Sequence, residues 1–366
     1  MTSLIGIFRD VCDPRDINAR HDLGDVLFVA LAATLCGAKS CVEIAEFAEA
    51  REDELKEIVP LRHGAPSHDT FSRVFRLLDP SELSRAFAAF MAALRGELGL
   101  GAPSGVVAVD AKSLRRGYEK GRSHMPPLVV SVWDTQTRLA IASARAPGGS
   151  EVKATLELLK SLTLKGCTVT GDALHCHPAM AEAVRDAKAH YALTLKGNQA
   201  ALFAAAEAGF AVAGDLPAFE TRDRAHGRVE RRKVSILSAG RLPDCPDFPG
   251  LKAVGRIEAE RTATDGRHQT AVRYVAVSKL FSPAKLAQVV RDHWSIENQL
   301  HWTLDVVFDE DDARTRKDNG PENLAVIRRL AHNILNAHPL KNPLSSKMRR
   351  ANWSKEFFFE LFTHMR

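Results

Sequence analysis

The sequence predicts an α/β fold in which a mixed five-stranded sheet with flanking helices is preceded by an all-helical domain and interrupted by a β-rich insertion. Three observations support this prediction. Apolar residues recur at helical spacing up to about residue 98. Short β-branched runs then alternate with helix-like stretches between residues 106 and 196. A polar, β-rich segment at about 205–280 is followed by helical spacing to the end. We therefore predict a helical domain at 1–98 and an α/β domain at 99–366.

The helical domain is predicted from apolar residues that lie three and four positions apart. Such runs occupy residues 26–31, 42–48, 71–78 and 83–94. Pro80 follows the third run, and the glycine-rich stretch GELGLGAPSG (96–105) follows the fourth. Because glycine and proline interrupt regular structure, this stretch marks the boundary of the domain.

Five short runs rich in β-branched residues predict the sheet. They are VVAVD (106–110), LVVSVWD (128–134), LAIASAR (139–145), CTVTGD (167–172) and YALTLK (191–196). Helix-like stretches at 152–162 and 178–188 precede the fourth and fifth runs. An order of three strands, helix, strand, helix and strand is typical of a mixed sheet.

Composition excludes several classes of protein. The chain has 366 residues, 45% hydrophobic and 26% charged, which does not fit a disordered or fibrous protein. Its longest apolar run, 26–36, is too short to span a bilayer and follows too many charges for a secretory signal. Six cysteines without a CxxC pair indicate reduced thiols, so we expect a cytoplasmic protein without a membrane partner. A net charge of +5 permits a nucleic-acid partner without requiring one.

Two aspartates end apolar strands in the same way. Asp110 closes VVAVD and Asp172 closes TVTGD, although burying an unpaired carboxylate is costly. If these strands are parallel neighbours, both carboxylates emerge at one edge of the sheet, where ligands of such sheets bind. Either aspartate alone could equally be an ordinary turn or helix-capping residue.

Glu297 is a third candidate. Within residues 284–308 it falls on a stripe with Trp294 and Leu300 at three-residue spacing, so we expect it to point inward from a helix. A paired core glutamate is the plainer explanation for Glu297 by itself. Three inward carboxylates without an obvious inward base, however, favour a divalent cation with oxygen ligands, and we predict Mg²⁺ with Mn²⁺ as a substitute.

Four segments together resemble a known family. They are VVAVDAKSLRRG, TVTGDALHCH, HYALTLKGNQ and HWSIENQLHWTLDVVFDEDDARTRKDNGPENLAVIRRLAHNIL. The chain is similar through them to the DDE transposases of bacterial insertion sequences, and more narrowly to the H-repeat-associated group. The resemblance extends from about residue 5 to near the end. It implies a ribonuclease-H-like catalytic domain in which Asp110, Asp172 and Glu297 bind the metal.

The resemblance implies a DNA transposase that cleaves and transfers strands at the ends of its element. Its partner would be double-stranded DNA, it would act as a homodimer because two ends are joined, and it would be nucleoid-associated when bound. A ribonuclease-H-like nuclease without strand transfer, or a decayed transposase that only binds DNA, remains an alternative. Many related enzymes carry a Tyr, Arg and Lys around the glutamate, but Val290, His293 and Leu304 stand at those offsets here. Arg291, His293 and His301 are therefore only candidates for phosphate contacts.

Several other residues are candidates for DNA contacts, with ordinary solvation as the alternative. Lys112, Lys196 and Asn198 end strands at the predicted active edge. The basic stretch 222–233 predicts a track for backbone phosphates. Its candidate residues are Arg228, Arg231, Arg232 and Lys233.

Two other motifs favour a structural role. The acidic run within 305–312 is expected to be a solvated loop or a helix cap rather than a second metal site. His175, Cys176 and His177 lack the second ligand pair that a structural zinc site needs, which favours a helix-start role for them.

Overall fold

The computed structural model describes residues 4–118, 125–225, 228–263 and 267–362. Six helices cover the region that the sequence predicts to be helical. They are α1 (Leu4–Arg9), α2 (Leu23–Leu35), α3 (Cys41–Ala50), α4 (Glu52–Lys56), α5 (His68–Leu77) and α6 (Pro80–Glu97). Helix α2 is buried along its whole length and is capped by Asp22, whose carboxylate accepts from the Asp25 amide. Helix α6 begins at Pro80, a residue well suited to the first turn because its missing amide has no helical partner.

The strands form one sheet. They are β1 (Val106–Ser113), β2 (Leu128–Asp134), β3 (Leu139–Arg145), β4 (Thr168–Gly171), β5 (His190–Leu195), β6 (Ala218–Ala225), β7 (Arg228–Ser238), β8 (Ala253–Ala263) and β9 (His268–Val277). Their order across the sheet is β3-β2-β1-β4-β5-β9-β8-β7-β6, with β1, β4 and β5 parallel to one another. The α/β fold with a mixed sheet is confirmed.

The five predicted strands are present, and within the described residues the strands of the insertion extend the same sheet to nine. Strand β9 pairs antiparallel with β5 from Ala192↔Val277 to Leu195↔Tyr274, so the inserted strands extend the same sheet. This pairing satisfies the backbone groups that β5 would otherwise expose at an edge. The inserted strands also begin later than expected, since residues 200–212 form a helix.

The described part of the chain contains eight further helices. They are α7 (Glu151–Lys160), α8 (Pro178–Asp186), α9 (Ala200–Val212), α10 (Pro283–His293), α11 (Trp302–Val306), α12 (Gly320–Ala337), α13 (Leu344–Trp353) and α14 (Lys355–Glu360). Helices α7, α8 and α9 pack on the face of β1 that carries Val107 and Val109. The opposite face, which carries Ala108, contacts the hydrophobic core that α2, α12 and α14 share. None of the described helices combines the length and apolarity needed to cross a bilayer.

Helix α12 connects the N-terminal helices to the sheet. Its residues are buried from Gly320 to Leu335, so its polar side chains need internal partners. Asn323 donates to the carbonyls of Phe75 and Leu78 at the end of α5. Asn333 accepts from the Ala140 amide and donates to the Ala140 carbonyl on β3. The helix is therefore hydrogen-bonded to both parts of the chain.

We expect Asn333→Leu to lower the free energy of unfolding by about 2–5 kcal/mol, because it leaves two buried backbone groups of Ala140 without partners. Asn336→Leu is the matched control on the same helix. Asn336 donates to turn carbonyls near the surface, where water can replace it, so its loss should cost less than about 1 kcal/mol. Urea denaturation measures both values, and equal losses would contradict the role assigned to Asn333.

Candidate metal centre

The register of the sheet brings the two aspartates together. Strands β1 and β4 pair in parallel up to Ala108↔Thr170, and the same register continued by two residues places Asp110 opposite Asp172. Asp110 does not end its strand as predicted. Strand β1 continues to Ser113 because it still pairs with β2 after the ladder with β4 has ended. The Asp110 carboxylate is thus held by regular strand backbone.

Asp172 lies in the turn after β4. Its Oδ1 accepts from the Leu174 amide at 2.9 Å and caps a short 3₁₀ turn, Ala173–His175. Asn198 braces this turn by donating to the carbonyls of Ala173, at 2.7 Å, and Cys176, at 3.2 Å. The capping role considered for Asp172 is therefore real, and it leaves Oδ2 free of that bond.

Glu297 lies in a π-helical segment, Ile296–His301, between α10 and α11. The expected continuous helix is interrupted here, and the buried stripe passes through Ile296 and Leu300 while Glu297 is exposed beside it. The inward orientation predicted for Glu297 is therefore wrong in detail, because a π turn holds more residues than an α turn and shifts the faces of the helix. Partial desolvation of the carboxylate and the nearby Asp172 raise the pKa of Glu297, and Arg273 opposes them.

A fourth carboxylate, which the sequence did not single out, joins this group. Glu151 is the first residue of α7, and its Oε1 lies 2.8 Å from Nε2 of the buried His175. The ligand atoms of Glu151, Asp172 and His175 all lie within 4.8 Å of one another. The only sequence signal is an acidic residue after a helix-capping serine, a pattern too common to mark a site.

The electrostatics of the cluster favour a cation. Burial raises the pKa of Asp110 to about 7, and Glu151, Glu297 and Asp172 add to the rise, against a hydrogen bond from the Ala111 amide. These four carboxylates therefore repel one another in a partly buried space. This concentration of negative charge lacks a compensating cation, and carboxylate oxygens are the hard ligands that Mg²⁺ and Mn²⁺ prefer. The residues therefore fit a divalent metal.

The two histidines near Glu297 have partners within the protein. His301 lies with Nδ1 3.6 Å from the Asp110 carboxylate, and burial, with Arg329 and Lys112, lowers its pKa to about 3. His293 bonds through Nδ1 to the Thr170 hydroxyl at 3.0 Å, and burial lowers its pKa to about 4. Both imidazoles are therefore neutral at physiological pH, and neither supplies a positive charge for a phosphate.

Lys112 is 7% exposed and is ion-paired within the protein. Its ammonium lies 2.6 Å from Asp305 and 2.8 Å from Asp311. Asp311 also pairs with Arg115, and other residues of the acidic run pair with Arg116, Lys39 and Arg329. The run is therefore not the solvated loop that was expected, since it ties the end of β1 to the helical part, and Lys112 has a structural partner in place of a phosphate.

The predicted basic track is divided between the two faces of a strand. Side chains alternate along β7, so Arg232 lines a groove with Glu230 and Val234. Arg231 and Lys233 lie on the opposite face, where Arg231 pairs with Glu220 at 2.8 Å. Arg228 begins β7, and its side chain lies outside the described residues.

The groove lies between α10 and the inserted strands and has a volume of about 660 Å³. Arg273, which the sequence did not suggest, stacks over the exposed Trp294 with its guanidinium 5.4 Å from the ring centre. Arg291 also lines the groove and lies 3.5 Å from Asp223. Asn298, which follows Glu297 in the chain, also lines the groove. Lys196 lies outside this groove. It is exposed and directly follows β5, the strand that pairs with β4.

Comparison with known proteins gives matches along most of the chain. The family described as "Transposase DDE domain" matches residues 101–334, and "DDE_Tnp_1-associated" matches residues 5–91. The chain is 31% identical to "H repeat-associated putative transposase YhhI" of Escherichia coli K12, over 92% of this chain and 91% of that protein. It is equally similar to "Putative protein YbfL" of the same strain, with the same coverage. It is 32% identical to "Putative transposase YncI" of Escherichia coli O157:H7, over 86% of this chain and 82% of that protein.

The raised pKa of Asp110 makes the stability of the metal-free chain depend on pH. A carboxyl with a pKa of about 7 in the fold and 3.8 when unfolded lowers the free energy of unfolding progressively from about pH 4 to about pH 7, and the full penalty remains above pH 7. In EDTA we therefore expect Asp110→Asn to raise the free energy of unfolding by roughly 2–4 kcal/mol at pH 8 and by less than about 2 kcal/mol at pH 5.

Asp312→Asn is the control for this measurement, because it removes an exposed carboxylate paired with Arg116. Its effect in urea denaturation should stay within about 1 kcal/mol at both pH values. An equal gain for Asp110→Asn at pH 5 and pH 8 would mean that side-chain packing, and not charge, causes the change.

Proposed function

This chain belongs to the DDE transposase family, and from that membership we propose that it catalyses metal-dependent cleavage and transfer of DNA strands at the ends of an insertion sequence. The observation that carries the proposal is that Asp172 and Glu297, from distant parts of the chain, lie near enough to Asp110 for their charges to raise its pKa. Hydrolysis of a phosphodiester would free a 3′-hydroxyl. This hydroxyl would then attack a phosphodiester of the target DNA, with the 3′-oxygen of the target strand as the leaving group.

We assign the catalytic part to the ribonuclease-H-like fold. Its first five strands have the order β3-β2-β1-β4-β5, with β2 antiparallel to its neighbours. The helical domain at 1–98 and the catalytic domain at 99–366 remain our division of the chain, although the two share a hydrophobic core. We propose that the protein works as a homodimer on the two ends of its element, and in the cytoplasm at the nucleoid.

In the proposed mechanism Asp110, Asp172 and Glu297 hold Mg²⁺, with Mn²⁺ as a substitute. When bound, a pair of such ions stabilises the attacking and leaving oxygens of a phosphodiester displacement. The protein contributes position: the β1–β4 register sets the two aspartates, and Asn198 fixes the turn that carries Asp172. The neutral His301 packs against Asp110 without adding a charge that would compete with the cation.

The groove supports a path for DNA toward these carboxylates. Arg232, Arg273 and Arg291 line it, and Trp294 offers an exposed aromatic surface. Arginine side chains of this kind contact backbone phosphates, and their binding weakens as salt rises. Lys196 extends the basic surface past β5. We therefore place the DNA on the groove face of the inserted strands and not on the face that carries Lys233.

We expect Asp110→Asn, Asp172→Asn and Glu297→Gln each to reduce Mg²⁺-dependent cleavage roughly a hundredfold or more, since bound metal supplies several kcal/mol of charge stabilisation. DNA binding in EDTA should be largely retained. The substrate is a plasmid that carries the two DNA segments flanking the reading frame.

Glu182→Gln, an exposed change on α8, is the control and should cleave normally. Full cleavage by Glu297→Gln would contradict the assignment of that residue. Joining of cleaved ends to a second plasmid separates a transposase from a nuclease, and cleavage without joining would favour the nuclease.

The DNA path has its own test. We expect Arg273→Gln to weaken DNA binding and to reduce the slope of log K against log salt by about 1, because one phosphate contact is lost. Lys233→Gln removes a charge from the opposite face of the same sheet and should leave the slope unchanged. Fluorescence anisotropy over a salt series measures both slopes, and a larger effect of Lys233→Gln would place the DNA on the other face.

A further inference from the structure

We infer that Glu151 is a fourth carboxylate ligand of the metal centre and that His175 is the positioning residue that holds it. The inference rests on the proposed function for the presence of a metal. It goes beyond the triad of the family resemblance, because neither the motifs nor the matched segments single out Glu151.

Glu151 reaches the centre from the face of the sheet opposite to Glu297. Glu297 approaches from the face covered by α10 and the π-helical segment. Helix α7 packs in the core of the opposite face and presents Glu151 at its first residue. Asp110 in β1 and Asp172 after β4 lie between them, at the end of the parallel ladder. A cation there would have oxygen donors on each side, which suits the six or more ligands of hard divalent metals.

Glu151 is held in place by a buried partner. The His175 side chain is fully buried and donates through Nε2 to Glu151 Oε1 at 2.8 Å. The space for its imidazole exists because residue 171 is glycine, where a Cβ would lie 2.8 Å from the His175 Cβ. A carboxylate held by such a bond has its second oxygen oriented for a metal, as second-shell partners commonly arrange.

A purely structural role for the pair explains less. An acidic residue in the first turn of a helix is stabilised by the helix dipole wherever it points. Glu151, however, lies close enough to Asp110 to be the strongest of the charges that raise its pKa. A carboxylate placed only to start a helix would be more stable away from three others. A cation among the four carboxylates would offset their mutual repulsion, which explains why they are placed together.

The hydrogen bond also restricts which metal the site accepts. His175 Nε2 is engaged by Glu151, and Nδ1 is buried without a hydrogen-bond partner among the described residues. The neighbouring Cys176 is buried, which raises its thiol pKa to about 12, and His177 Nδ1 accepts from the Met180 amide at the start of α8. The His175 Nδ1 atom is left open, so the preference for oxygen rests on the carboxylates, whose hard donors favour Mg²⁺ and Mn²⁺ over Zn²⁺.

The test is Mn²⁺ binding to the full chain without DNA, in which the electron paramagnetic resonance signal of free Mn²⁺ measures how much metal remains unbound. We expect Glu151→Gln to weaken Mn²⁺ binding about tenfold or more. Glu157→Gln, an exposed change on the same helix, is the matched control and should bind like the unmodified chain. Asp172→Asn, a residue of the triad, should lose binding.

The role of His175 is tested by two substitutions. His175→Leu should weaken Mn²⁺ binding about tenfold, and His175→Gln, which keeps a donor, should restore part of it. If His175→Leu does not fold, as judged by circular dichroism, His175→Gln and Glu151→Gln decide the question. Equal loss in the Gln and Leu proteins would overturn the positioning role.

The outcomes separate this inference from the proposed function. Normal Mn²⁺ binding by Glu151→Gln, together with loss of binding in Asp172→Asn, would overturn the fourth ligand and leave the triad intact. Absence of Mn²⁺ binding in the unmodified chain would overturn the metal centre as a whole. Zn²⁺ binding that displaces Mn²⁺ and depends on His175 would show a nitrogen ligand and would contradict the oxygen-only site.

Discussion

Repulsion among carboxylates at the end of the β1–β4 ladder is the constraint on which this architecture depends. Four acidic side chains within one another's field would separate if they stood on mobile loops. Each is instead attached to an element that cannot easily move: a central strand, a braced turn, a π-helical segment and the start of a packed helix. The energy that opposes the repulsion comes from burial elsewhere in the fold, above all around α12.

Helix α12 couples the N-terminal helices to the sheet, so the two parts of the chain pack as one unit. Arg329, fully buried on this helix, bonds to Ser131 on β2 and pairs with Glu310 of the acidic run. The same run pairs with Lys112 two residues beyond Asp110. Because removing one partner of a buried pair is strongly destabilising, these bonds make the position of the catalytic strand depend on the helical region.

The sequence allowed part of this to be predicted. The five strands of the part of the sheet that positions the two aspartates have clear β-branched patterns, and parallel pairing follows from their order. The apolar spacing and the family resemblance both pointed to Glu297, but the spacing predicted an inward side chain because it does not reveal the π turn that exposes it. The ion pairs of Lys112 and the division of the β7 arginines between two faces could not be predicted, because a run of charges does not reveal its partners or its alternation between faces. Glu151 could not be found, because its meaning comes only from contacts with residues distant in the chain.

An unbroken ladder of backbone hydrogen bonds connects the carboxylates with the groove, through β4, β5, β9, β8 and β7. Four interstrand steps of about 4.8 Å separate β4 from β7, or roughly 19 Å. On the proposed function, a duplex lying across these strands advances about 3.4 Å per base pair. Phosphates held by Arg232 would then lie about five or six base pairs from the cut. On that function the inserted hairpins would act as a fixed spacer, and the number of strands would set the distance between the DNA contact and the site of cleavage.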